Sequence, residues 1–317
     1  MLAVHLEDGA VSTIDIAPPE RSHGFALLRL LCAGICNTDL ELQRGYYGFK
    51  GIPGHEFVAE VVEADTHELI GKRVVGEINV ACTHCDWCRK ELGRHCPNRT
   101  VLGIVNQPGA FEELFTLPER NLHVLPDEIL TERAIFTEPL AAACEILDQV
   151  TIPCGAPIAV LGDGKLGLLI ALVLNAHGYP VHQFGRHAAK LRLAAAAGVE
   201  TRIAEDTLPT AAYDWVIEAT GSAEGLRQAV AMTRPRGTLI LKSTVHGVVG
   251  IDTAPVVVNE LTLIGSRCGR FEAALPLLDH HLIRVEEIIT ARYPLSQAAE
   301  AFAHAAQRGA LKVLLYP

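Results

Sequence analysis

From Ile158 to Gly167 the chain reads Ile-Ala-Val-Leu-Gly-Asp-Gly-Lys-Leu-Gly, a short apolar strand that runs through three spaced glycines into a helix. Few segments narrow the accessible folds so far. Gly162 permits the tight turn, Gly164 lets bare backbone approach a pyrophosphate, and Gly167 allows close helix–strand packing. The helix that begins at Lys165 and Leu166 turns its unpaired N–H groups towards the anion. Glycine-rich turns are common, so the flanking pattern matters. Behind the turn, strands at Pro180–Phe184, Trp215–Glu218 and Thr238–Leu241 alternate with helical runs at Ala188–Ala197 and Ala223–Met232. That alternation predicts βαβ units and a doubly wound parallel sheet, and the glycine turn within it a bound dinucleotide.

The second strand tests which dinucleotide. An NAD site usually closes this strand with an acid that binds the ribose 2′-OH. Here it ends in Gly185-Arg186-His187, with Lys190 one turn on, so a cationic cluster stands where a carboxylate is expected. An Arg fork suits a 2′-phosphate, which favours NADP over NAD. Further strand ends at Ala219-Thr220, Lys242-Ser243 and Arg267 are the other candidate cofactor contacts. The Ala-rich run Lys190–Ala197 reads as core.

The first third has another texture. Short β-like runs at Ala26–Leu31, Phe57–Glu63, Arg73–Ile78 and Phe111–Leu117 are punctuated by glycine and proline, and the pattern returns after about Glu286. We therefore expect a dinucleotide domain over 138–285 inserted into a β-rich domain built from 1–137 plus 286–317.

Cys82, Cys85, Cys88 and Cys96 follow C-x2-C-x2-C-x7-C in a short polar lobe. Four thiolates at that spacing suit one tetrahedral Zn²⁺, closed to water and therefore structural. Paired disulfides would suit a small secreted module, whereas the N-terminal residues carry His5, Glu7 and Asp8 and resemble no export signal. The five other cysteines (Cys32, Cys36, Cys144, Cys154 and Cys268) read mostly as small buried hydrophobes. A reducing, cytoplasmic setting is expected. No apolar run approaches the ~20 residues of a membrane span, and a net charge of −10 argues against a nucleic-acid partner.

Cys36, His55 and Glu56 are the residues left for a second zinc, one that keeps a free coordination position. Together with the lobe and the glycine turn, the segments Cys36-Asn-Thr-Asp39, Pro53-Gly-His-Glu-Phe-Val58, Thr137-Glu-Pro-Leu140 and Gly309-Ala-Leu-Lys-Val-Leu-Leu315 occur in one order along the whole chain. In this the sequence resembles the zinc-dependent medium-chain dehydrogenase/reductase family. The resemblance implies a Rossmann domain inserted into a GroES-like catalytic domain. It also implies two zinc ions per chain and hydride transfer between an alcohol (secondary alcohol, polyol or sugar) and NAD(P).

By that resemblance, Cys36 and His55 are zinc ligands and Glu56 is a ligand or an exchangeable carboxylate. Glu138 takes the third protein position, where Glu rather than Cys points to polyols and sugars, with Cys144 as its rival. Asp39 would orient His55, Thr38 would relay the substrate proton, and Lys242, Ser243 and Arg267 would flank the nicotinamide half. A homo-oligomer, dimer or tetramer, is implied, with Val256–Gly265 as an edge strand. A cofactor-binding protein without catalytic zinc, and a zinc-free quinone or enoyl reductase on the same scaffold, are the alternatives. Tyr46, Tyr47 and Phe49 are expected at a pocket wall.

Overall fold

The computed structural model describes residues 1–204, 208–244 and 249–317. The chain divides into two compact units, 1–138 with 289–317, and 139–288.

The first unit is organised by one long strand, Phe25–Ile35, whose apolar run Phe-Ala-Leu-Leu-Arg-Leu-Leu-Cys-Ala-Gly-Ile is mostly buried. It pairs antiparallel with Glu56–Glu63 on one edge; on the other it pairs with Leu114–Pro118 and, nearer its end, with Lys312–Tyr316. Irregular register between Leu27 and Leu28, and between Leu30 and Cys32, bends the strand. Ile289–Pro294, Arg73–Gly76 and Leu122–Val124 complete a seven-stranded sheet. Its core includes an edge-to-face pair, Phe57 and Phe115, with centroids 4.8 Å apart. A hairpin of Leu2–Glu7 and Ala10–Asp15 precedes the sheet. The sequence reading overlooked it, although Asp8-Gly9, both at positive φ, is a strong two-residue hairpin signal.

Glu112 bridges to Ala3 and is buried in this unit. Desolvation pushes its carboxyl up to about 8. Folding therefore costs nothing extra where the acid is neutral in both states, below about pH 4.5. The penalty grows as pH rises from about 4.5 to 8, where only the unfolded chain ionises freely, and levels off above 8. Glu112→Gln should match the parent in melting temperature at or below about pH 4.5, exceed it increasingly up to about pH 8, and hold that lead to about pH 9. The gap at the upper end corresponds to about 3–5 kcal/mol. Melts of both proteins across that range check this, and a pH-independent gap would refute it.

The second unit holds six parallel strands in the spatial order Glu200–Ile203, Val181–Gly185, Ile158–Leu161, Tyr213–Glu218, Thr233–Leu241, Thr262–Gly265. Chain order reverses about Ile158–Leu161, the switch point beside which ligands bind in such sheets. Ile158–Leu161 is wholly buried, and the helix Lys165–Ala176 behind the glycine turn buries Gly167 through Leu174. Strand Glu200–Ile203 was not foreseen.

Three expectations need correction. The Ala-rich helix, Ala188–Ala196, buries only Leu191 and Ala194; alanine carries no periodic apolar face, so core could not be read from its abundance. The run Val256–Gly265 is not one strand. Ala254–Val258 is a helix that starts with Pro255 near its N-terminus and the Ala254 N–H on Asp252 Oδ1, and only Thr262–Gly265 is an edge strand. Proline at a helix start outweighed the β-branched valines. Of the five cysteines outside the lobe, only Cys32 and Cys144 are fully buried, Cys36 and Cys268 are half-buried, and Cys154 is exposed. Among the described residues no helix is long and apolar enough to cross a membrane.

Candidate functional site: two metal-ligand clusters and a glycine turn

The four lobe sulfurs form a closed set. Cys82–Cys96 and Cys85–Cys88 are 3.5 Å apart, Cys85–Cys96 3.7 Å and Cys82–Cys88 3.9 Å. A disulfide needs about 2.05 Å, so none is formed. A tetrahedral ion with Zn–S bonds of about 2.3 Å places its sulfurs about 3.8 Å apart. The observed edges fit that polyhedron.

The second cluster is assembled where two strands flank Gly34. Cys36 follows the strand Phe25–Ile35 and caps the helix Asn37–Gln43. Asp39 in that helix accepts the Cys36 N–H through Oδ2 at 2.8 Å, which fixes the loop. Its Oδ1 faces His55 Nδ1 at 3.3 Å, and both residues are buried. Burial opposes a charged His55, but Asp39 and Cys36 together hold it well above the ordinary imidazole range.

Donor atoms of Cys36, His55 and Glu56 lie within 4.8 Å of one another. Glu56 Oε1 is buried without a hydrogen-bond partner. A thiolate, an imidazole and an orphaned carboxylate oxygen make a donor set that suits Zn²⁺. Thr38 Oγ1 stands 3.9 Å from Cys36 Sγ.

Glu138, the expected third ligand, is not one of this set. It sits half-buried in the first turn of the helix Thr137–Gln149, near enough to Lys312 to favour its charge. The rival Cys144 is directed at the Ala273 carbonyl, 3.8 Å away.

Lys312 is the residue that sequence reasoning missed. Its side chain is 1% exposed and its ammonium binds Glu56 Oε2. Gly34 pairs with Glu56 on one side and Leu314 on the other, so the two charges meet over a residue without a side chain. A Cβ there would stand 2.6 Å from Glu56 Oε2.

In the second unit the glycine turn is held by the neighbouring strand Val181–Gly185. Buried Gln183 donates to the Gly162 carbonyl at 2.9 Å, and the Gly162 N–H bonds the Phe184 carbonyl. Gly162 has φ +129°, and a Cβ on it would strike the Ala219 carbonyl at 2.4 Å. Gly164 faces open space at the N-terminus of the helix. Backbone left bare beside a helix start is what a pyrophosphate requires. Glu218 braces the next turn by accepting the Thr220 N–H and hydroxyl, each at 2.6 Å, and Ser243 Oγ accepts the Gly221 N–H at 2.8 Å.

Arg186 is exposed, with His187 and Lys190 half-buried beside it. Lys242 is buried and donates to the Ala142 carbonyl, Ser266 Oγ and the Arg267 carbonyl. An ammonium has three protons, so this side chain braces the loop and has no donor left for a cofactor. Arg267 is exposed against Cys268 Sγ at 3.7 Å. In the first unit, Tyr47 and Phe49 line a cleft of about 580 Å³ with Ile104–Pro108, whereas Tyr46 stacks on Tyr47 and does not line it.

Comparison with known proteins adds to this geometry. The alcohol dehydrogenase GroES-like domain matches residues 22–127, and the glucose dehydrogenase C-terminus matches 131–315. The chain is 28% identical to D-arabitol-phosphate dehydrogenase of Enterococcus avium, with 95% of this chain and 92% of that one covered. It is 30% identical to an L-threonine 3-dehydrogenase of Chelativorans sp., over 78% and 77% of the two chains. A zinc-binding dehydrogenase of Sinorhizobium meliloti 1021, solved with NADP, superposes with TM-score 0.90 at 27% identity, covering 100% and 99%. An alcohol dehydrogenase of Thermus sp. ATN1 gives the same TM-score at 30% identity and the same coverage. With the two family matches spanning residues 22–127 and 131–315, and the fold shared with these relatives over the whole chain, this chain belongs to the zinc-dependent medium-chain alcohol and polyol dehydrogenases and is an NAD(P)-dependent oxidoreductase of that family.

Proposed function

We propose that the enzyme oxidises a secondary hydroxyl of a polyol or sugar alcohol, and reduces the corresponding ketone, at a catalytic zinc held by Cys36, His55 and Glu56. The observation that carries this is the convergence of those three donors within 4.8 Å, with Asp39 set behind His55. Bound there, the ion would act as a Lewis acid on the substrate oxygen and lower its pKa. Bound at the glycine turn, the nicotinamide would exchange hydride with the carbinol carbon.

The chain's own residues do the rest. Asp39 fixes the His55 tautomer so that its other ring nitrogen is the ligand. Thr38, beside the thiolate, hands the substrate hydroxyl proton outward. Glu138, half-buried near Lys312, would be the further carboxylate available to the ion. Gly162, Gly164, Lys165, Leu166 and Gly167 seat the pyrophosphate, and Ala219, Thr220 and Ser243 shape the adjoining wall. Arg186, with His187 and Lys190, favours a 2′-phosphate and hence NADP.

Polyol substrates are supported by the relatives, which include a D-arabitol-phosphate dehydrogenase and a sorbitol dehydrogenase. Pentitols, hexitols, their phosphates, simple secondary alcohols and primary alcohols should be compared with NAD and NADP, reading reduced nicotinamide at 340 nm. Polyols should exceed primary alcohols by at least about tenfold in kcat/KM, with two zinc ions per chain. Turnover that survives with only the lobe ion present would overturn the proposal.

A further inference from the structure

The strand Val181–Gly185 lacks the acid that usually closes the second strand of an NAD site, yet the position is not empty of negative charge. Asp163, the middle residue of Gly162-Asp-Gly164, folds its side chain against Gly185. A Cβ on Gly185 would meet Asp163 Cβ at 2.5 Å, Oδ2 at 2.6 Å and Cγ at 2.8 Å. The carboxylate therefore fills the space in which a side chain on the last residue of that strand would begin. Gly185 and Asp163 form one unit, since any other residue at 185 would evict the carboxylate.

His187 holds it there. The His187 N–H donates to Asp163 Oδ2 at 2.6 Å, and His187 Nδ1 lies 3.0 and 3.1 Å from the two oxygens. An ionised carboxylate accepts about four hydrogen bonds, so two donors from His187 leave it capacity for a ribose hydroxyl. Its side chain is 11% exposed, at the end of the strand where this class of site reads the adenosine ribose.

We infer that Asp163 is the specificity-determining acid of the dinucleotide site, delivered from the glycine turn instead of from the second strand. It accepts from the ribose 2′-OH of NAD and repels the 2′-phosphate of NADP. Arg186 attracts that same phosphate, so the two residues oppose each other and Asp163 narrows the preference for NADP that Arg186 confers. The inference rests on the proposed dinucleotide function, and deepens it at one atom of the cofactor.

The test is fluorescence titration of the zinc-loaded enzyme with NADH and NADPH, at fixed and low salt. Asp163→Asn removes the charge but keeps an oxygen for the His187 N–H. It should shift the affinity ratio towards NADPH by at least about tenfold, mostly by tighter NADPH binding and weaker NADH binding together. Asp163→Ala should shift the ratio in the same direction. If Asp163→Asn leaves the ratio unchanged while Asp163→Ala weakens both cofactors equally, the residue merely shapes the turn and the inference fails. A ratio moved towards NADH overturns it as well. Arg186→Ala separates the two claims: unchanged NADPH affinity there removes the assigned role of Arg186 and leaves the Asp163 result to be judged alone. No binding of either cofactor to the parent enzyme would sink the dinucleotide reading itself.

Discussion

Cys36→Ser should give a folded protein that still binds dinucleotide and keeps its lobe ion, but turns over at least about a thousandfold more slowly. The reason is local. Cys36 contributes the soft anionic donor of the three that converge, and a serine hydroxyl is not ionised near neutrality. The Asp39 contact to the residue 36 N–H does not depend on the side chain, so the loop geometry should persist. A thousandfold corresponds to about 4 kcal/mol of lost transition-state stabilisation, the range expected when a Lewis acid is removed. Metal analysis should fall from two zinc ions per chain to one, and the midpoint of NADPH binding should barely move. Cys144→Ser is the control, since that thiol is directed at the Ala273 carbonyl and should leave both ions in place. If the variant retained two ions, or lost cofactor binding in step with turnover, Cys36 would be a structural residue.

The parts of this protein that were legible in its sequence are those whose partners lie close along the chain. The glycine turn, the four-cysteine spacing and the two short ligand segments each encode geometry within some fifteen residues. Pairings across the sheet are different. Lys312 and Glu56 are 256 positions apart, and Lys in a terminal Lys-Val-Leu-Leu strand reads as an ordinary solvent-facing residue. Asp163 looks like a spacer between two glycines until its contact with Gly185 and His187 is seen. Glu138 shows the converse limit. Its segment identifies the family's ligand position, but sequence alone could not rank it against Glu56, whose orphaned oxygen is a property of packing. Lys242 was placed at the correct strand end, yet its donors are taken by Ala142, Ser266 and Arg267. Strand ends are readable from hydrophobic pattern; the direction of a long side chain is not.

Lys312→Met should destabilise the enzyme by about 3–5 kcal/mol, although the residue touches neither a surface nor a turn. Both members of the Lys312–Glu56 pair are 1% exposed, so neither charge can be repaid by water. Burial alone would strip the proton from Lys312. The carboxylate of Glu56, with Cys36 nearby, reverses this and holds the ammonium above its usual range. Removing the cation strands a buried carboxylate whose other oxygen already lacks a hydrogen-bond partner. Losing one partner of a buried pair typically costs that much, whereas replacing both by apolar or neutral groups is often nearly neutral. Lys312→Met with Glu56→Gln should therefore recover most of the lost melting temperature, and the coupling is read from a double-mutant cycle. Metal loading gives a second readout. In the single variant Glu56 has lost its competing cation, so zinc should stabilise that protein by more degrees than it stabilises the parent. Equal zinc-induced shifts in the two proteins would mean that Glu56 does not bind the ion. Additive single-variant effects in the cycle would mean that the pair is not energetically coupled.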